Sequence, residues 1–264
     1  MDIVVDVKGY GGRPQGYYRV IPMVTLALDT STRTGSCAVL RDDVVLAEIP
    51  GDATRSHAER LPADLSTVLA LAHLGLAAVD TFAVAIGPGS FTGLRVGIAT
   101  MQGLALPVGA PLVGLSVLDA LALSASEAAS GPSGESPGRG GARVATWVDA
   151  WRGEVYAALY EDGQTVEAAS VERPDAILAR LARLHGVRTQ FIGDGAAARG
   201  DAIRAAMGAF GVLAPVPEPM LAGIIGRMAA RLVREGHRPS PDEIHPLYVR
   251  RPDVELVREA RVER

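Results

Sequence analysis

Lysine is all but missing from this 264-residue chain: Lys8 is the only one, and every other basic side chain is arginine. A Schiff-base lysine, a P-loop lysine and a Ser-Lys dyad are therefore unavailable to the folded part beyond the glycine-rich lead. Cysteine is equally scarce, with Cys37 alone. One thiol cannot close an internal disulfide, build a zinc ribbon or hold an iron–sulfur cluster, and its place in a strand-like run marks it as a small core residue. The histidines His57, His73, His185, His237 and His245 form neither HExxH nor HxxxH, so a protein-held metal is not expected. No run of about 18 apolar residues could span a bilayer, and no charged start leads into an apolar signal core. The cytoplasm is the expected compartment, with no membrane partner. A net charge of -4 lacks the basic footprint of a stand-alone nucleic-acid binder.

What the chain does have is a stretch from Ala83 to Leu106, AVAIGPGSFTGLRVGIATMQGLAL, in which an apolar strand breaks into a glycine loop and re-emerges as a helix. Such a junction directs backbone N–H groups and the positive end of a helix dipole at one spot, which suits an anion. The same glycines also serve a tight turn with no ligand. A Walker loop is excluded because Leu94 and Arg95 follow Gly93, and a dinucleotide fingerprint because Thr92 stands at its third glycine. A nucleophile elbow would need glycine at Pro88 and Thr92, so Ser90 reads as a helix N-cap. Asp29, Gly87, Gly89, Ser90 and Thr92 are the candidate nucleotide contacts. Arg95, one turn into the helix, could reach a phosphate or a partner carboxylate. His57 and Glu59 open another helix and read as structural.

Residues 1–22 read as an extension without strand or helix pattern. From Val24 three short strands with tight polar turns form a β-meander, with Asp29 closing the first. Residues 56–73 follow as a helix with Leu61, Leu65, Val68 and Leu69 on one face. After the strand from Thr81 and the glycine-loop helix, Leu112 to Leu123 gives a short strand and then a helix. Residues 124–142, SASEAASGPSGESPGRGGA, have little to bury and read as a flexible insertion. Then the opening pattern returns: strand, Asp149 at a turn, strand, acidic turn, strand. The chain thus carries an internal repeat, its second turn shorter by two residues as counted from aspartate to glycine. These breaks divide it into a first lobe, 23–113, a second lobe, 114–218, a helix over 219–235 that returns to the first lobe, and a tail, 236–264.

LALDTST (26–32), SHAERLPADL (56–65), IGPGSFTGLRVGIATMQGLA (86–105) and PLYVRR (246–251) together resemble the TsaB family, also called YeaZ, over about Val24 to Arg251. The resemblance implies an α/β actin-like ATPase (ribonuclease H-like) fold of two related lobes, each opened by a β-meander. It also implies a non-catalytic dimerisation subunit without cofactor of its own. That subunit would bind the catalytic paralogue TsaD, with TsaE in the same pathway, for transfer of a threonylcarbamoyl group to the N6 of the anticodon-adjacent adenosine of tRNA. ATP and metal are then expected on the partner, tRNA is met through the complex, and a homodimer could form when the partner is absent. Catalytic relatives carry a histidine pair where Leu115 and Asp119 stand here, and leucine cannot ligate a metal.

In such a subunit the two helices of the first lobe pack across the interface, which makes Leu61, Leu65, Leu69, Gly93, Arg95, Gly97 and Met101 the expected partner-facing residues. Gly93 and Gly97, one turn apart, would admit a second helix closely. The rival reading is an ATP-hydrolysing or acyl-transferring enzyme using Asp29, the 87–93 loop and Arg95 on phosphates. A metallopeptidase is disfavoured.

Overall fold

A computed structural model describes residues 3–7, 16–20, 22–130, 143–184 and 187–249. Strands β1 (Ile3–Val7) and β2 (Gly16–Val20) pair antiparallel as a hairpin. The stretch 1–22 is therefore not wholly without regular structure: the β-branched run Ile3-Val4-Val5 is a strand former that the surrounding glycines obscured.

The first lobe is built on β3 (Val24–Asp29), β4 (Ser36–Arg41), β5 (Val44–Pro50), α1 (His57–Leu71), β6 (Thr81–Gly87), α2 (Phe91–Ala105) and β7 (Leu112–Ser116). Its sheet runs β5-β4-β3-β6-β7, antiparallel through the meander and parallel from β3 to β7. Strand β3 is buried along its whole length, as expected of a central strand covered on both faces. On one face α1 contributes Leu61, Leu65 and Val68, and α2 contributes Ile98 and Met101, to a core with Leu26, Leu28, Phe82 and Val84. Cys37 is buried in that same core, as its sequence setting implied.

The second lobe comprises α3 (Val117–Ser130), β8 (Arg143–Asp149), β9 (Val155–Glu161), β10 (Gln164–Glu172), α4 (Pro174–Ala182), β11 (Thr189–Ile192), α5 (Asp194–Ala197), α6 (Gly200–Met207) and β12 (Gly211–Leu213). Its sheet order, β10-β9-β8-β11-β12, repeats that of the first. Helix α3 continues through Ser130, so the first part of the expected insertion is helical, with Ala125 in the core. Alanine and glutamate there favour helix over linker. Residues 131–142 lie outside the described residues.

Helix α7 (Ala222–Arg234) returns to the other face of the first sheet, and its Ala222, Ile225 and Ala229 join Leu118 and Leu121 of α3 in a core shared by both lobes. Its N-terminus has no local side-chain cap. Instead Ser36 Oγ accepts from the N–H groups of Leu221 (3.2 Å) and Ala222 (3.0 Å), and Glu48 accepts from Gly223 N–H (2.8 Å). The four orphan donors of a helix start must be met somewhere, and here strands β4 and β5 meet three of them.

Candidate functional site

The cleft between the lobes holds two cavities, of about 270 and 470 Å³, whose shared wall includes Thr32 and Arg33 in the turn after β3. That turn, residues 30–35, is gripped from two sides. Ser90 N–H donates to Ser31 O (2.7 Å). A Cβ added to Gly93 would come within 2.2 Å of Thr30 O, and one added to Gly97 within 2.2 Å of Thr30 Oγ1, so both glycines are occupied by the lobe's own turn. From α1, His57 Nε2 lies 3.0 Å from Thr32 O, and Arg60 donates to Thr34 O.

Arg60 is 2% exposed, and reading the sequence did not single it out. It pairs with Asp64 at 2.5 Å and donates to His57 Nδ1 at 2.8 Å. Arginine can only donate, so Nδ1 is the acceptor and the His57 proton sits on Nε2, directed at Thr32. Burial, then the Arg60 charge, hold the His57 pKa below its usual value. Both ring nitrogens are engaged, which leaves His57 no role as base or ligand in this arrangement. The readable signal for Arg60 was its spacing to Asp64, four residues on along α1.

Asp29 accepts Ser31 N–H at 2.8 Å and is buried. Burial raises its pKa, with the charge of Asp194 across the cleft adding to the shift. In the glycine loop, Gly87 takes a left-handed φ of +117°. Ser90 caps α2 by accepting Gly93 N–H at 3.2 Å. Two loop N–H groups expected to meet a phosphate, those of Ser90 and Gly93, are thus spent inside the lobe. Thr92 is exposed on the larger cavity. Arg95 turns away from the cleft: its guanidinium lies 3.9 Å from the Phe91 ring centre and Nε donates to Tyr248 OH, in the tail, at 3.0 Å.

Of the residues expected to face a partner, Leu61, Leu65, Leu69, Gly93, Gly97 and Met101 are buried in the first lobe, and Arg95 alone is exposed. The apolar stripe faces the sheet because that is where the largest contiguous apolar surface lies. The exposed sides of the same helices carry Ala63, Thr67 and Leu71 on α1 and Phe91, Arg95 and Ala99 on α2, with Leu106 just beyond it.

On the second lobe the turn after β8 spans residues 150–154, one fewer than the turn after β3. The spacing from aspartate to glycine differs by two because Glu154 intervenes between Gly153 and β9, whereas Gly35 abuts β4. Trp151, Arg152 and Gly153 are left-handed in succession, with φ of +60°, +55° and +78°. Asp149 pairs with Arg199 at 3.3 Å. Asp194 accepts the N–H groups of Asp149 (3.0 Å) and Gly195 (2.7 Å), and burial raises its pKa. Leu115 is buried, and Asp119 accepts the Tyr160 hydroxyl at 2.6 Å. Among the described residues no group of three or more histidine, cysteine or acidic side chains is placed to hold a metal ion.

Two lobes with one strand order, joined by a shared core and facing each other across a cleft, define an actin-like α/β protein. A family model described as TsaD, tRNA N6-adenosine threonylcarbamoyltransferase, matches residues 43–209. The Escherichia coli protein called tRNA threonylcarbamoyladenosine biosynthesis protein TsaB is 30% identical over 236 residues, 86% of this chain and 95% of that one. Two solved structures from Pseudomonas aeruginosa are similar. One, described as an uncharacterized protein with similarity to peptidase YeaZ, has 27% identity and a TM-score of 0.68, covering 86% of this chain and all of that one. The other, YeaZ itself, has 26% identity and a TM-score of 0.64, covering 86% and 99%. The chain belongs to the TsaB (YeaZ) family of tRNA threonylcarbamoyladenosine biosynthesis.

Proposed function

We propose that this chain is a non-catalytic subunit that binds TsaD and holds it competent to transfer the threonylcarbamoyl group to adenosine N6 in tRNA. The observation that carries this is the engagement of the cleft's reactive side chains by the fold. His57 has both nitrogens bonded, Ser90 is a cap, Asp29 is a buried turn acceptor, and Leu115 and Asp119 stand where the catalytic relatives' metal pair is expected. What remains outward is the exposed side of two 15-residue helices, with Leu71 55%, Phe91 49% and, just past α2, Leu106 52% exposed. Helices of this length with small and apolar exposed residues suit side-by-side packing against a partner's helices. ATP and metal act on TsaD in this reading, TsaE joins through the complex, and a homodimer through α1 and α2 is the state without partner.

Sizing chromatography of the purified chain mixed with TsaD tests it. A 1:1 species that replaces any homodimer is expected, and the chain alone should not turn over ATP. Separate elution at micromolar concentrations, or ATP hydrolysis by the chain alone, contradicts the reading.

A further inference from the structure

The outward sides of α1 and α2 carry almost no charge. Among their exposed residues only Glu59 and Arg95 are ionised, and the others are small, apolar or hydroxyl side chains such as Ala63, Thr67, Leu71 and Ala99. A helix face that meets only water is normally rich in charged and polar side chains. Charged residues make up 21% of the chain, so the scarcity is local to this face.

Arg95 is held in one pose on it. The guanidinium lies 3.9 Å from the centre of the Phe91 ring and 6.0 Å from that of Tyr248, and Nε donates to the Tyr248 hydroxyl at 3.0 Å. Tyr248 is itself anchored, because the tail is bonded to the first lobe on its way there. Leu247 N–H donates to Ile86 O at 2.8 Å, and the Gln102 side chain donates to Pro241 O (2.8 Å) and Ile244 O (3.1 Å). Among the described residues no carboxylate pairs with Arg95, and both Nη groups stay open.

The carboxylates around the face are engaged at home. Glu59 accepts the Ser56 N–H (2.9 Å) and hydroxyl (2.8 Å) at the start of α1, Asp64 pairs with Arg60, and in the tail Asp242 and Glu243 accept from Ser240. A symmetric contact between two copies sets this face against itself. Two Arg95 charges then enter the contact without an unengaged carboxylate to meet them, and burying an unpaired charge is costly. A different partner with a carboxylate at that place removes the cost and adds a charge-assisted hydrogen bond.

We propose that Arg95 is a specificity residue of the docking face: it receives an aspartate or glutamate side chain of TsaD and disfavours the pairing of two copies of this chain. The inference rests on the reading of α1 and α2 as the TsaD surface and adds what that surface selects, and by which contact. Specificity is a difference between two affinities, and one side chain here raises the first and lowers the second. Phe91 and Tyr248 are positioning residues, which fix the guanidinium before the partner arrives and so reduce the ordering cost of binding.

Arg95→Met tests this, since the position is exposed and methionine keeps an unbranched apolar stem. Affinity for TsaD, by calorimetry, and self-association, by sedimentation equilibrium, are measured on the full chain over a series of sodium chloride concentrations. TsaD binding should weaken roughly tenfold and depend less on salt, while self-association strengthens roughly tenfold at an unchanged melting temperature. An arginine with a merely structural role would not move the two equilibria in opposite directions. Tyr248→Phe keeps the ring but removes the acceptor, and should weaken TsaD binding roughly threefold. With a parent chain that binds TsaD, unchanged TsaD affinity in Arg95→Met, or self-association no stronger than the parent's, overturns the proposal. Parent-like affinity in Tyr248→Phe overturns the positioning role of Tyr248. A parent chain that does not bind TsaD overturns the docking reading, and this inference with it.

Discussion

The two lobes share a strand order and differ in what holds the turn after their first strand. In the first lobe that turn is clamped by long helices on one side of the sheet, through Arg60 and His57 on α1 and through Gly93, Gly97 and Ser90 on α2. In the second, the end of strand β8 and not the turn itself rests on the short α5, through Asp194 and Gly195, and the turn reaches its path by three left-handed residues in succession. A duplicated fold thus solved one problem twice. In the first lobe the solution couples the cleft turn to the helices offered as the partner surface. In the second it leaves Trp151 free to form a cleft wall.

The largest expected effect on this contrast comes from Arg60→Ala. Removing one member of a buried charge network leaves Asp64 unpaired and Thr34 O without its donor, which costs about 3–5 kcal/mol. Denaturant unfolding should show a loss of that order, and a change under about 1 kcal/mol would mean that the first turn is not clamped by α1. The same network makes stability depend on pH. A histidine whose folded pKa lies below its unfolded value contributes stability that is complete above the unfolded pKa and is lost as pH falls through the folded one. Melting temperature should therefore drop as pH falls below about 6.5, and the drop should be smaller in His57→Gln.

Next in size is Gly97→Ala. In an open helix this change would stabilise by about 1 kcal/mol. Here the new methyl meets Thr30 Oγ1 at 2.2 Å, and overpacking of about 1–3 kcal/mol wins. Gly195→Ala is the matched change in the second lobe, where the nearest atoms lie at 3.0 Å. Its loss should be the smaller of the two, and calorimetric melts that reverse the order would refute the difference in clamping. The smallest effect is expected from Asp29→Asn. A carboxyl with a raised folded pKa is favoured by folding at acid pH and penalised as pH rises through that value. The amide keeps an acceptor for Ser31 N–H, so the variant should melt at or above the parent near neutral pH, with less advantage near pH 4. A lower melting point at neutral pH would show that the charge is used.

Much of the fold was legible because it rests on local pattern. The meanders, the glycine-loop helix and the return of the motif at Asp149 follow from strand periodicity and turn residues, and Ser90 declared itself as a cap. The site was less legible. The apolar faces of α1 and α2 could be read, but not whether a sheet or a partner covers them, since both bury apolar surface alike; the lobe's own sheet takes Leu61, Leu65 and Met101. Arg60 was hidden because its contact to the turn at Thr34 spans 26 positions, and the cap of α7 because Ser36 lies 185 positions before Leu221. Contacts between residues so far apart leave no periodic trace. The paired strands Ile3–Val7 and Gly16–Val20 were overlooked for the opposite reason, the short β-branched run of the first being set among glycines.

The central claim is that the outward side of α1 and α2 is a docking surface while their inward side builds the lobe. The most direct measurement is the affinity for TsaD of Leu71→Arg and Leu106→Arg, both at exposed positions, beside the melting temperature of each variant. The account predicts at least roughly tenfold weaker binding, as for loss of a packed interface side chain, at an unchanged melting temperature. Affinity equal to the parent's in both variants, with the parent itself forming the complex, would contradict it.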